Sequence, residues 1–325
     1  MARALRNQIT WLDFGNEINP LHRYNPFRPL IRWYNKRILD RYISHELDHR
    51  YQSKAIGDID RPRRGKSIID LALDTYLDGN APTKTLNPTF KKFALNQVIL
   101  FIFAGHDTTS STICYALYLL STHPSTLSSL RAEHDTVFGA DPSEAAASIT
   151  KTPHLLNQLP YTLAVIKETL RLFPAASSTR SGEPDFHIVA DGMRFPTDGF
   201  LVWSLHQALH RDPTFWASPN AFLPERWLVP AGAPLYPAKD TWRPFEFGPR
   251  NCLGQELAVL ELKVVLVMVM RAFDVTEAYE EWDRLAGHVG RRRRTVAGER
   301  AYQVGMQHPS EGFPCRVTVR AEQRL

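Results

Sequence analysis

The segment from Asn87 to Ser121 constrains the fold of this chain most. It reads as one helix of roughly 33 residues, about 50 Å long, which is enough to cross a whole domain. Asn87 is a candidate N-cap and Pro88 suits the first helical turn. Apolar residues lie nearly all round it at Val98–Phe103 and Tyr115–Leu120, the pattern of a buried central helix. Its middle, AGHDTTSS (Ala104–Ser111), is poor helix material, because Gly105, Asp107, Thr108 and Thr109 prefer other conformations. The Thr108 hydroxyl can reach the Ala104 carbonyl and bend the helix. Two readings stand: a Ser/Thr-tolerant kink, or an acid beside a hydroxyl aimed into a cavity that the kink opens. His106 faces the same would-be pocket, and a single histidine is not a metal site.

The elements around it are mostly helical. Residues 28–55 show helical periodicity with many charges, Arg61–Lys66 reads as a loop, and Ser67–Leu77 is amphipathic. Residues 125–140 read as a helix, and DPSEAAASIT after them as a surface excursion. The segment Leu159–Pro174 is a helix stopped by its proline. Glu168 and Arg171 are neighbours on its surface. Leu163, Ile166 and Leu170 form one apolar stripe; Tyr161, Val165 and Leu172 form a second, next to Glu168. A helix apolar on two sides is buried on two sides, so the pair is partly buried and the arginine needs further partners.

Beyond Pro174 the period changes. Pro184–Leu205 carries short β-rich runs and two Asp-Gly pairs, which reads as small antiparallel hairpins. From Pro213 to Pro249 there are eight prolines, which exclude long helices and impose a meander. Its aromatic residues, from Phe215 and Trp216 to Phe245 and Phe247, mark a loop packed onto a core. Arg226 lies in this meander, where it can partner Glu168. The fold class is therefore mainly α with small β-sheets.

Composition sets the outer limits. At 325 residues, 43% hydrophobic and 22% charged, the chain can bury a large core. A net charge of +5 does not demand nucleic acid, and the run Arg291–Arg294 sits in a Gly-flanked loop with no basic helix or aromatic platform. The N-terminal MARALRNQITWLDFG is neither a signal peptide nor a span. The longest apolar runs, Val98–Gly105 and Val264–Met270, fall short of the ~20 residues a transmembrane helix needs.

Three cysteines, Cys114, Cys252 and Cys315, are too few and too scattered for a disulfide framework or a zinc site. Cys252 stands in FEFGPRNCLGQELA, where a Pro-rich loop meets the strong helical pattern Gly254–Phe273. A helix N-terminus favours a thiolate. Gly248 and Gly254 allow tight turns and the close approach of a flat ligand. Three roles compete: nucleophile, metal ligand, or inert buried thiol. A nucleophile needs a base, and no histidine lies in the stretch. A single thiolate could also complete a metal already held by four other atoms, as in haem. Cys114 and Cys315 read as ordinary buried thiols.

Phe245-x-x-Gly248-x-Arg250-x-Cys252-x-Gly254 resembles the haem-thiolate signature of the cytochrome P450 monooxygenases. In the family's order, AGHDTT resembles its oxygen-activation motif and KETLR (Lys167–Arg171) its E-x-x-R motif. PERW (Pro224–Trp227) resembles the motif that completes a Glu-Arg-Arg network. The detailed wording is most similar to enzymes of filamentous fungi that modify secondary metabolites.

The resemblance implies a haem b cofactor with Cys252 as axial thiolate. It implies Arg250 and Arg180 as propionate partners, Phe245 packed near the sulfur, and Asp107 and Thr108 as proton managers on the distal side. Glu168, Arg171 and Arg226 would lock the meander. The implied activity is insertion of one atom of O2 into a lipophilic small molecule. Electrons would come from NADPH through a separate cytochrome P450 reductase, with cytochrome b5 as an optional second donor. The implied chain is a monomer, and the full-length family member sits on the cytoplasmic face of the endoplasmic reticulum membrane.

Family members are longer. Residues 1–325 resemble the C-terminal two-thirds of that fold as a single partial domain, lacking the membrane anchor and the first strands and helices. The alternative reading is a catalytically inactive truncated remnant, or a fragment produced by a wrong gene boundary. The expectation is an in-frame coding region upstream of Met1, with an apolar anchor near its start, and poor haem retention by residues 1–325 alone. A monodisperse, haem-loaded, active preparation of this chain would contradict it.

Overall fold

The structure is a computed structural model that describes residues 25–55, 67–79, 83–287 and 312–320, with short pieces at 4, 7, 303–304 and 308–309. The basic runs Arg61–Lys66 and Arg291–Arg294 lie outside the described residues. The chain is mainly helical with small antiparallel sheets, and divides into two units, Met1–Asp107 and Thr108–Leu325.

In the first unit, α1 (Arg28–Ala55) turns Leu39, Ile43, Leu47 and Tyr51 inward, four residues apart on one face. Helix α2 (Ile68–Gly79) starts from a reciprocal cap: the Asp70 amide donates to the Ser67 hydroxyl, and the Ser67 amide to the Asp70 carboxylate. Burial would raise the Asp70 pKa, but the Ser67 hydrogen bonds and the Arg50 charge hold it below the usual range. Pairs Arg50–Asp70 at 3.1 Å and Lys54–Asp74 at 2.5 Å join α1 to α2.

Helix α3 (Pro88–Thr122) belongs to both units. Asn87 caps it, accepting the amides of Thr89 at 2.9 Å and Phe90 at 3.3 Å. The helix is unbroken through Ala104–Ser111, and the Thr112 hydroxyl donates to the Thr108 carbonyl at 2.9 Å. Burial all round holds only for its second half, where Tyr115, Ala116, Leu119 and Leu120 are buried. In the first half Phe93, Leu100 and Phe101 are exposed, at 61%, 53% and 41%. An all-round apolar pattern permits burial, but only neighbouring elements produce it, and no described residue covers those faces.

In the second unit, residues 108–122 of α3 pack with α4 (Pro124–Phe138), α6 (Pro160–Leu172) and α8 (Gln255–Ala272). Tyr115 stacks on Phe173 with ring centroids 4.0 Å apart. The expected surface excursion after α4 is mostly exposed and takes helical form: a 3-10 turn capped by Asp141, followed by the short helix α5 (Ala145–Lys151). Helix α6 is buried on two sides and has no capping side chain of its own. Glu133 of α4 substitutes, accepting the amides of Tyr161 at 2.6 Å and Thr162 at 2.8 Å.

The strands are short. β2 (His187–Ala190) and β3 (Met193–Pro196) form a hairpin whose turn is Asp191-Gly192, with φ 51° and 75° as a type I′ turn requires. The second Asp-Gly pair makes no hairpin. It leads β3 into β4 (Leu201–Ser204), which pairs with β1 (Ser178–Ser181), because the segment after α6 returns beside β4 first. β5 (Phe273–Glu277) follows α8 directly and pairs with β6 (Cys315–Val319). Between α7 (His206–Leu209) and α8 the chain has turns and single 3-10 turns, with Trp216 and Phe222 buried and Phe215, Tyr236 and Phe247 exposed.

Two buried histidines make the second unit acid-sensitive. Burial, then the charges of Arg271 and Arg131, lowers the His134 pKa to about 3. Burial, then the His206 charge, lowers that of His210 to about 3. Each is neutral when folded and charges readily when unfolded, so their contribution is complete above about 6.5 and falls as pH drops toward 3. Between pH 7 and 5 the loss is about 2 kcal/mol per histidine. Urea denaturation at both pH values should show it, and His134→Gln should lower stability at pH 7 yet roughly halve the acid-induced drop.

Candidate functional site

The loop Phe245–Cys252 is shaped by its own residues. Pro244 and Pro249 forbid regular structure, and Gly248 takes φ 74° at the start of a 3-10 turn, Gly248–Arg250. The turn folds back so that the Cys252 amide donates to the Phe245 carbonyl at 2.8 Å. Cys252 is exposed and its carbonyl accepts from Gln255, the first residue of α8, at 3.4 Å. Gly254 has a negative φ; a β-carbon there would lie 3.9 Å from the Cys252 sulfur, so the glycine leaves open space beside the thiol.

Cys252 opens onto a cleft of about 740 Å³ that includes open solvent. Phe245 and Arg250 from its own loop, Thr108 and Thr112 from α3, Ala175–Ser178, and Ala258 and Leu262 from α8 line it. Residues far apart in sequence therefore converge on one space. Arg180 is not among the lining residues: it is exposed on β1, with its guanidinium on the Thr179 carbonyl at 2.8 Å. Asp107, last residue of the first unit, is buried. His106 is exposed. Burial raises the thiol pKa of both Cys114 and Cys315, as suits inert side chains.

Behind the loop lies a buried carboxylate. Glu168, Arg171 and Arg226 are fully inaccessible. Glu168 accepts from Arg171 Nε at 3.0 Å and Nη2 at 2.8 Å, from Arg226 Nε at 3.0 Å, from the Trp227 indole at 3.0 Å and from the Leu223 amide at 3.1 Å. Arg171 spends its other donors on the carbonyls of His210, Pro219 and Ala221. Trp216 lies under both guanidiniums, at 5.1 Å and 5.7 Å. The rings continue to Phe245: Trp216–Trp227 at 6.1 Å, Trp227–Trp242 at 5.5 Å and Trp242–Phe245 at 6.0 Å.

Three residues of this region carry no local signal that marks them. His206 and His210, four apart, sit on one helical turn. His210 Nδ1 meets the Arg171 carbonyl at 3.1 Å, and its Nε2 accepts the Arg243 amide at 2.9 Å, so the ring is a neutral bridge. His206 and Glu246 line the cleft with Cys252. A histidine thus does stand near the thiol, but it is engaged at both nitrogens, by the Ala176 carbonyl at 3.0 Å and by Glu246 at 2.9 Å. It is therefore not free to serve Cys252 as a base. Burial would raise the Glu246 pKa, but hydrogen bonds from Ser178, Arg243 and His206 bring it down to about 2.

The family model of cytochrome P450 matches residues 7–294. Cytochrome P450 monooxygenase polC of Polytolypa hystricis is 43% identical over 98% of this chain, and acrF of Aspergillus aculeatus is 33% identical over 98%. Cytochrome P450 3A13 of Mus musculus is 39% identical over 57% of the chain. The chain spans 57% of the length of the first relative and 66% of the second.

Removing the shared acceptor leaves two guanidiniums buried against each other. Glu168→Ala is expected to lose about 3–5 kcal/mol, the scale for breaking a buried ion pair. Chemical denaturation checks it; a loss below about 1 kcal/mol would mean that the network is as weak as a solvated pair.

Proposed function

The chain belongs to the cytochrome P450 family, and on that premise we propose that it is a haem-thiolate monooxygenase that inserts one oxygen atom into a lipophilic small molecule. The observation that carries the reading is the meeting of Cys252, Phe245, Arg250 and Thr108 around one cleft.

The residues fit a haem. Among the described residues no group of three His, Cys, Asp or Glu side chains could hold a metal ion. A metal at Cys252 must then bring its other donors with it, as a porphyrin does. The exposed thiol, the open space beside Gly254 and the apolar wall of Ala258 and Leu262 suit a flat apolar ligand. Arg250 at the same cleft suits a carboxylate on its edge. Haem b, when bound, supplies dioxygen activation, which an axial thiolate favours.

The roles of the chain's own groups follow. Cys252 would hold the iron through its thiolate, and the bond from its amide to the Phe245 carbonyl holds its backbone in place. Arg250 would pair with one propionate; Arg180, exposed on β1, is the candidate for the other. Thr108 lines the cleft and its hydroxyl would hold or pass a proton there, with Asp107 preceding it in the chain as the acid. Phe245 would pack near the sulfur and tune the iron potential. Glu168, Arg171 and Arg226 keep the meander in register. Electrons come from NADPH through a separate reductase, since the family generally needs a redox partner. No helix among the described residues is long and apolar enough to cross a membrane. Placement on the endoplasmic reticulum would be that of the full-length family member, and a substrate from secondary metabolism is part of the same proposal.

Reduced, haem-loaded protein with carbon monoxide should show the red-shifted band of thiolate ligation, and Cys252→Ser should abolish it. Cys114→Ser and Cys315→Ser should leave it unchanged. Retention of the band in Cys252→Ser sinks the ligand assignment. In an active preparation Thr108→Ala should retain haem and substrate binding yet divert reducing equivalents to peroxide; unchanged coupling of NADPH oxidation to product counts against Thr108.

A further inference from the structure

We propose that Glu246 is a positioning residue for Cys252: its carboxylate clasps the wall Ala175–Ser178 to the cysteine loop and so fixes where the thiol stands. This rests on the haem-thiolate reading and deepens it.

Glu246 directly follows Phe245, whose carbonyl takes the Cys252 amide at 2.8 Å. Its φ is 58°, a left-handed conformation that a side chain with a β-carbon disfavours. Glycine would adopt the same angle freely. A glutamate there therefore answers to something other than backbone geometry. Its carboxylate is what the fold uses. Oε1 accepts from the Ser178 hydroxyl and from His206 Nε2 at 2.9 Å; Oε2 accepts from Arg243 Nε at 3.1 Å and Nη2 at 2.7 Å. His206 is itself tied to the Ala176 carbonyl at 3.0 Å. The donors thus come from β1, α7 and the meander, and one carboxylate gathers them onto the loop that bears the thiol. The side chain is only 10% exposed, so water competes weakly for these charge-assisted bonds.

The test compares Glu246→Gln and Glu246→Gly in the full chain. Amide hydrogen exchange is followed in residues 245–252, with residues 160–172 as internal reference, with and without added haem. Both variants should exchange roughly ten-fold faster or more in 245–252, the effect of losing charged hydrogen bonds, with 160–172 unchanged. At equal haem loading, a smaller share of either variant should show the thiolate band with carbon monoxide. Ser178→Ala removes a single donor and keeps the test available if both variants fail to fold; it should raise exchange in the same segment roughly three- to ten-fold. Wild-type exchange in Glu246→Gly overturns the proposal in favour of a purely conformational role. Equal acceleration of both segments overturns it in favour of general destabilisation. If the wild type shows no Cys252-dependent band while the variants loosen 245–252, the haem reading falls and the clasp stands. If the band is present and exchange is unchanged, the clasp falls alone.

Discussion

One fully buried carboxylate organises the second unit. Glu168 takes five hydrogen bonds from two arginines, an indole and a backbone amide. Two positive charges against one negative leave a buried excess, and such an excess is tolerable only where dipoles answer it. The end of α7 and the meander supply them: the carbonyls of His210, Ala217, Pro219 and Ala221 all point at the guanidiniums. A proline-rich segment cannot pair its carbonyls in helices or sheets, so its backbone has acceptors to spare. The arginines need acceptors and the meander needs donors, and acceptors are met at every Arg171 nitrogen and at Nε and Nη2 of Arg226; Arg226 Nη1 is buried without a protein partner among the described residues.

From this centre hydrogen bonds, joined by short covalent steps along the chain, reach the backbone of Cys252. The carbonyl of Arg171 meets His210, and His210 accepts the amide of Arg243. The Arg243 guanidinium holds Glu246, and Glu246 adjoins the carbonyl that fixes Cys252. The indoles of Trp216, Trp227 and Trp242 fill the space alongside, with Trp242 donating to the Lys167 carbonyl at 3.1 Å. In a low-dielectric interior such a set is strong when every member is satisfied, which is how a loop without regular structure can hold a cysteine in one place. The neutral state of His210 belongs to the same logic: a proton on Nε2 would remove the acceptor that Arg243 uses.

Much of this was legible in the order of residues because it is local. Asn87-Pro88 starts a helix, Pro174 follows one, and Asp191-Gly192 closes a hairpin, each through the conformational limits of one or two residues. The two apolar stripes on either side of Glu168 marked a helix buried on both flanks, and that segment is buried so. Spacing misled where the outcome depended on a distant neighbour. The second Asp-Gly pair makes a connection, since β4 finds β1. The first half of α3 exposes Phe93 and Leu100 although its apolar pattern goes all round.

The helices, the family and the loop that carries Cys252 were readable in the order of residues, because periodicity, turn chemistry and a short spaced motif act over a few residues. It took the packed fold to bring Glu246, His206 and Ser178 beside that loop, since Ser178 and Glu246 are 68 positions apart along the chain. A carboxylate between two phenylalanines looks like an ordinary solvated charge. What makes it a clasp is the loss of water around it and the arrival of donors from β1, α7 and the meander, and no local pattern encodes which distant donors will arrive.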